Sequence, residues 1–226
     1  MNEADNILYP CRLYLVSPPQ IVLAEFAKTL ESALDAGDVG AFQLRLKDAS
    51  DKEIPEAVRV LMPLCRAKGT AFILNDRVDL AAELEVDGVH LGQDDMLAEE
   101  ARRILGKERV IGVSCHDSSH LAMEAGDHGA DYVAFGAFYQ TTSKSPEKLA
   151  KYGTPKPDII EWWSTYTLIP CVAIGGMQPQ NCGPLVEAGA DFIAAINAVW
   201  NHPKGAAEAV REFNQAIKKA LKRSAA

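Results

Sequence analysis

Short apolar runs rich in β-branched and aromatic residues alternate along the chain with longer stretches that are alanine-rich and charged. The runs fall at Arg12–Val16, Phe42–Leu46, Ala71–Leu74, Gly88–Leu91, Val110–Val113, Tyr132–Phe135, Cys171–Ile174 and Phe192–Ile196. They are short and almost wholly apolar, without the strict alternation of a half-exposed strand. Such runs predict parallel strands buried on both faces. The intervening stretches predict helices over Ile21–Ala36, Glu53–Ala67, Arg77–Leu84, Leu97–Leu105, His120–His128, Asp158–Ser164, Pro179–Ala188 and Ala206–Leu221. Gly37 and Lys68-Gly69 stand where a helix C-terminus favours glycine.

Eight strand–helix units in 226 residues match the dimensions of a single (β/α)8 barrel of the TIM type. A doubly wound open sheet is the rival architecture, but it usually needs fewer strands, and no G-x-G-x-x-G follows the first run. The whole chain, 1–226, reads as one domain, with residues 1–10 as an N-terminal extension and 218–226 as a fraying basic helix end. An internal echo supports repeated units. Gly129-Ala130-Asp131-Tyr132-Val133 recurs as Gly189-Ala190-Asp191-Phe192-Ile193, and more weakly as Glu85-Val86-Asp87-Gly88-Val89. Each copy reads as a helix end, a turn and an entering strand, which makes its aspartate structural.

Composition narrows the setting. Hydrophobic residues make up 48% and charged residues 24%, and the formal net charge is -8. That charge argues against nonspecific binding to nucleic acid or to anionic membranes, but leaves anionic metabolites open where basic side chains or a metal gather. The five cysteines are scattered without C-x-x-C spacing, which points to reduced thiols rather than a disulfide framework or a zinc ribbon. No apolar run reaches membrane-spanning length, and the acidic N-terminus has no signal-peptide pattern. A cytoplasmic protein acting on small molecules is the expectation, with assembly into a homo-oligomer left open.

In a barrel of this type the chemistry lies at the C-terminal ends of the strands. After strand 2, Gln43, Arg45 and Lys47 share one strand face by their i, i+2, i+4 spacing, with Leu44 and Leu46 on the other. Two cations and an amide turned toward the barrel mouth call for an anion. Asn75 and Asp76 follow strand 3. Gln93, Asp94 and Asp95 follow strand 4. Asp76 and Asp95 are placed to converge on one Mg2+, which shares its shell with water and substrate oxygens; capping of the following helices is the bland alternative. Ser114, Cys115 and His116 follow strand 5, and adjacency on an extended strand sets Cys115 and His116 on opposite faces. Thr141, Ser143 and Lys144 lie in the long segment after strand 6, where hydroxyls and a lysine suit phosphate. Gly175-Gly176 after strand 7 and Ile196-Asn197 after strand 8 occupy the usual phosphate corner of the fold, although a glycine pair also suits a plain tight turn. Two anion sites flanking a carboxylate pair fit an enzyme acting on a diphosphate and a second phosphorylated molecule.

The blocks Gln43-Leu44-Arg45-Leu46-Lys47, Asn75-Asp76-Arg77-Val78-Asp79, Asp87 through Asp95, Gly112-Val113-Ser114, Gly136, Thr141-Thr142-Ser143-Lys144 and Ala173-Ile174-Gly175-Gly176 together resemble the thiamine-phosphate synthase family, in order, over most of the chain. The resemblance implies condensation of a hydroxymethylpyrimidine diphosphate with a thiazole phosphate, by dissociative loss of pyrophosphate. It implies Asp76 and Asp95 as Mg2+ ligands. It places Arg45, Lys47, Asn75 and Lys144 on the pyrophosphate, Ser114 nearby, and Gln43 beside the pyrimidine; of these, Arg45, Lys47, Ser114 and Lys144 are the candidate catalytic groups. Thr141, Ser143, Gly176, Ile196 and Asn197 would hold the thiazole phosphate. Three positions depart from the family pattern: Ser143 for threonine, Leu46 for an acidic residue, and Asn197 for serine. The segment 148–163 is also unusual. Two other functions stay open at this point: a thiazole tautomerase with His90 or His116 as acid–base group, and a non-catalytic sensor of thiamine intermediates.

Overall fold

The computed structural model describes residues 11–46, 49–141 and 151–224. In chain order the elements are β1 (Arg12–Val16), α1 (Leu23–Asp35), β2 (Val39–Leu44), α2 (Glu53–Arg66), β3 (Ala71–Asn75), α3 (Val78–Glu83), β4 (Gly88–Leu91), α4 (Ala98–Leu105), β5 (Val110–His116), α5 (Ser119–Asp127), β6 (Tyr132–Phe135), α6 (Asp158–Tyr166), β7 (Cys171–Ile174), α7 (Gly183–Glu187), β8 (Phe192–Ala195), α8 (Asn197–Trp200) and α9 (Ala206–Ser224). The strands pair in sequence order, all parallel, and β8 returns to β1, so the sheet is a closed barrel. The open-sheet alternative is thereby excluded.

The apolar runs become strands because each must be buried twice. Leu13, Leu15, Phe42, Leu44, Phe72 and Leu74 face the helices, in the core between sheet and shell. A smaller interior core holds Tyr14, Val16, Ala41, Ile73, Tyr132, Ala134, Val172 and Ala194. Small side chains dominate inside because the lumen of eight strands is only wide enough for side chains to fill. Amphipathic helices close the outside; α2, for example, buries Ile54, Ala57, Val58, Leu61 and Cys65 along one face, the stripe expected for a period near 3.6.

β3 and β8 end within one residue of the sequence expectation, and β2 and β5 differ from it by more. β2 begins three positions earlier and ends at Leu44, since Val39 and Ala41 pair with Leu13 and Tyr14. Gly40, which looks like a strand breaker, lies inside this strand because a Cβ there would come within 2.6 Å of the Phe192 ring. β5 runs on to His116, with an irregular register at Ser114/His116 against β6. The ladder thus absorbs polar residues that an apolar-run criterion leaves out. A short helix, α8, follows β8 where only a turn was expected. No helix among the described residues is long and apolar enough to cross a membrane.

The repeated aspartates have one shared task. The carboxylate of Asp87 accepts from Phe72 N at 2.7 Å, that of Asp131 from Ile111 N at 2.7 Å, and that of Asp191 from Cys171 N at 2.8 Å. Each closes the N-terminal end of the preceding strand, and its own amide donates back to that strand's carbonyl. Asp131 is further clamped by Arg102 Nη2 at 2.5 Å. These contacts lie at the barrel end opposite the strand termini that carry candidate chemistry. Asp131→Ala should therefore lower stability by about 1–3 kcal/mol by leaving the Ile111 amide without its acceptor. Urea unfolding measures it, and a loss under about 0.5 kcal/mol would show that water replaces the carboxylate.

Candidate active site

The C-terminal strand ends enclose a cavity of about 880 Å³, within the range of small-molecule sites. Its floor is built from the interior core. The Tyr14, Gln43 and Tyr132 side chains are buried there, and each hydroxyl or amide finds a partner, as buried polar groups must. Tyr14 Oη donates to Gln43 Oε1 at 3.3 Å and lies 3.0 Å from Tyr132 Oη. Tyr132 Oη is 2.9 Å from His90 Nδ1, and His90 Nε2 is 2.8 Å from Ser114 Oγ. Gly112 makes this possible: a Cβ there would sit 1.9 Å from the Tyr132 ring. Burial pushes both phenols up, so each keeps its proton.

One wall carries charge. Asp76 sits at φ +60° just past β3, a left-handed conformation that Asp and Asn tolerate better than most residues. Its amide donates to His90 O at 2.9 Å, tying β3 to β4, and its carboxylate accepts from Asn75 Nδ2 at 2.5 Å. Asp95 accepts from Gly92 N at 2.8 Å. Neither acid caps the helix after it, since α3 and α4 begin without a side-chain cap; the bland alternative fails at both. The two carboxylates instead face one another. Burial against the protein side of the wall, and then the charge of Asp95, raise the Asp76 carboxyl to about 6, while Arg45 and the Asn75 amide pull it down. A pair of acids held together on an accessible wall suits a hard divalent cation that takes its other oxygens from water and substrate.

The remaining expected residues are distributed as follows. Gln43 and Arg45 both reach the cavity, but Arg45 lies beyond the strand, its amide held by Ser17 Oγ at 2.8 Å. Asn75, Ser114, Thr141, Gly176, Ile196 and Asn197 line the cavity with them. Lys47, Ser143 and Lys144 lie outside the described residues. Gly175 and Gly176 have φ +104° and +65°. A Cβ on them would strike Ala137 Cβ at 2.3 Å and Gln140 O at 2.4 Å. The glycine pair therefore lets the chain after β6 pack directly on the chain after β7. Cys115 is fully buried and burial pushes its thiol up to about 12, so it offers no thiolate. His116 faces the cavity with its ring stacked on Tyr152 at 3.8 Å.

Tyr14 and Tyr132 are the site residues that sequence reasoning missed. Tyr14 lies mid-run and Tyr132 opens its run, and beside apolar neighbours both read as ordinary strand residues. The available signal was chemical: a phenol on the lumen side of a barrel strand needs a partner for its hydroxyl.

Enzymes of this architecture act on substrates at this end of the barrel, and the chain is of that class. Residues 13–199 match the model of the family described as thiamine monophosphate synthase. The chain is 54% identical over 208 residues to a thiamine-phosphate synthase of Rhodospirillum centenum, covering 92% of this chain and 98% of that one. It is 49% identical over 210 residues to the thiamine-phosphate synthase of Erythrobacter litoralis, covering 92% and 96%. In structure it is similar to a thiamine phosphate pyrophosphorylase from Pyrococcus furiosus, with a TM-score of 0.80 and 29% identity over 93% of this chain and 96% of the other. The chain belongs to the thiamine monophosphate synthase family, and it is an enzyme, a transferase.

The raised Asp76 carboxyl has a consequence for stability. An acid whose folded pKa exceeds its unfolded value destabilises the fold as pH climbs from 3.8 toward about 6, and the penalty is complete above that. Asp76→Asn, which keeps the left-handed backbone acceptable, should raise metal-free stability by roughly 1 kcal/mol near pH 8, after discounting for solvent screening. It should give almost no gain near pH 4. Urea midpoints at the two pH values check this, and equal effects at both would contradict it.

Proposed function

We propose that the chain joins 4-amino-2-methyl-5-(diphosphooxymethyl)pyrimidine to 4-methyl-5-(2-phosphooxyethyl)thiazole, releasing thiamine phosphate and pyrophosphate. The observation that carries the reading is the Asp76–Asp95 pair beside Arg45, set on the rim of a hydrogen-bonding floor. In the proposed reaction the bond between the pyrimidine methylene carbon and the diphosphate oxygen breaks, and its electron pair leaves with pyrophosphate. The thiazole nitrogen then donates its lone pair to that carbon, so no proton has to be removed. Such chemistry asks for charge stabilisation of the leaving group more than for a base.

Asp76 and Asp95 would hold Mg2+, which when bound supplies positive charge against the diphosphate oxygens. Arg45, Lys47, Asn75 and Lys144 would hold the same oxygens, with Ser114 close by. Gln43 would sit close to the pyrimidine. Thr141, Ser143, Gly176, Ile196 and Asn197 would take the thiazole phosphate. Tyr14, Gln43 and Tyr132 set no positive charge against the developing cation. The tautomerase alternative asks for an acid–base histidine; His90, held between Tyr132 and Ser114, and His116, stacked on Tyr152, both line the cavity, so product analysis separates the two readings. Five free, buried cysteines support a reducing, cytoplasmic setting.

The test is to mix purified protein with both heterocycles and follow pyrophosphate and thiamine phosphate with Mg2+ and with EDTA. Both products should form only with the metal, and Asp76→Ala and Asp95→Ala should each lower kcat/KM by about 100-fold or more. Product formation indifferent to EDTA would remove the metal role. Folded protein that binds or isomerises the thiazole phosphate without making product would replace the synthase reading with the tautomerase or the sensor.

A further inference from the structure

The polar groups of the floor and of the charged wall form one continuous chain. Asn75 Nδ2 donates to Asp76, Gln43 Nε2 donates to Asn75 Oδ1 at 2.6 Å, and Tyr14 Oη donates to Gln43 Oε1. The chain continues through Tyr132 and His90 to Ser114. It crosses six consecutive strands, β3 and β2 to β1 and then β6 through β4 to β5. Each amide and hydroxyl in it has a limited supply of protons, so a direction imposed at one end propagates to the other.

Asp76 imposes that direction. A carboxylate oxygen accepts, so Asn75 must turn its NH2 toward it; the reverse flip would set two acceptors 2.5 Å apart. Asn75 then shows its oxygen to Gln43, and Gln43 shows its oxygen to Tyr14. Tyr14 has a single proton and commits it to Gln43. Between the two tyrosines, Tyr132 must therefore be the donor. Its only proton is then spent, and its oxygen can meet His90 Nδ1 only if that nitrogen carries hydrogen.

We infer that Asp76 sets, through Asn75, Gln43, Tyr14 and Tyr132, the tautomer of His90, which carries its hydrogen on Nδ1 and accepts on Nε2. Ser114 Oγ is then the donor to His90 and turns its lone pairs into the cavity, so it meets the ligand as an acceptor. Tyr14, Tyr132 and Gln43 are positioning residues in this scheme. Resting on the synthase reading, the lone pairs of Ser114 suit an N–H of the substrate, such as the pyrimidine amino group, rather than a ring carbonyl. Hydrogen-bond polarity of this kind links Asp76 on the charged wall to Ser114 at the far side of the floor through the intervening side chains.

The decisive measurement is long-range 1H–15N correlation on ligand-free protein labelled with 15N-histidine, with the His90 signals assigned by their loss in His90→Asn. The wild type should show a protonated-type shift at Nδ1 and a pyridine-type shift at Nε2; the opposite pattern overturns the scheme, whatever the protein's substrate. Tyr14→Phe touches neither His90 nor Ser114, yet it frees the Tyr132 proton to turn toward His90. That variant should flip His90 to the Nε2–H tautomer, and an unchanged tautomer would show that polarity is set locally. The same variant should raise KM for the pyrimidine diphosphate about tenfold, the worth of one buried hydrogen bond, and leave KM for the thiazole phosphate where it was. A flipped tautomer with neither KM moved would remove the positioning role. Because the tautomer is read without substrate, it stands or falls separately from the synthase assignment.

Discussion

Closure of the parallel ladder governs the rest of this molecule. With β8 hydrogen-bonded to β1, no strand edge is left exposed, and all eight C-terminal ends open on the same side. Every strand is buried twice, between lumen and helices, which is why near-continuous apolar runs were needed. The lumen is narrow, so its side chains are mostly alanine and valine. Of the two large rings there, Tyr132 fits because Gly112 leaves space beside it, and Tyr14 packs against Tyr132.

The two ends of the barrel use aspartate in opposite ways. At the N-terminal end Asp87, Asp131 and Asp191 are consumed by strand amides, and their charge is spent on holding neighbouring strands in register. At the C-terminal end Asp76 and Asp95 face each other across the rim, and the first is raised to about 6 by burial and by its neighbour. One arrangement stabilises the fold. The other stores repulsion that a cation would relieve, the usual trade between stability and function at a site.

Between these charged ends lies a polar floor whose groups are satisfied by one another. The Tyr14–Gln43 and Tyr14–Tyr132 bonds are buried, and those reaching Asn75, His90 and Ser114 partly so, so breaking a buried one leaves a partner desolvated and unpaired. This makes the floor more than a surface for a ring to rest on. It is a set of donors and acceptors with a direction, held by six strands at once. The loop glycines do comparable work in packing, since Gly175 and Gly176 allow the chains after β6 and β7 to touch.

How much of this was legible beforehand follows from what a local pattern encodes. Burial on two faces is a property of a run of residues, so the eight strands, their parallel pairing into a barrel and the structural role of the repeated aspartates could be read along the chain. The polar residues at strand ends could be read too, because closure delivers them to one rim; Gln43, Arg45, Asn75, Asp76, Asp95 and Ser114 do meet there. The limits of β2 and β5 could not, because Gly40 and the polar end of β5 are admitted by neighbours on other strands. Nor could the glycine pair be told from a simple turn until the chain after β6 was seen against it. Tyr14 and Tyr132 stand 118 positions apart, and nothing near either one announces the other. Which side chains share a hydrogen bond across a lumen depends on the stagger of the closed sheet, and that stagger exists only in the folded barrel.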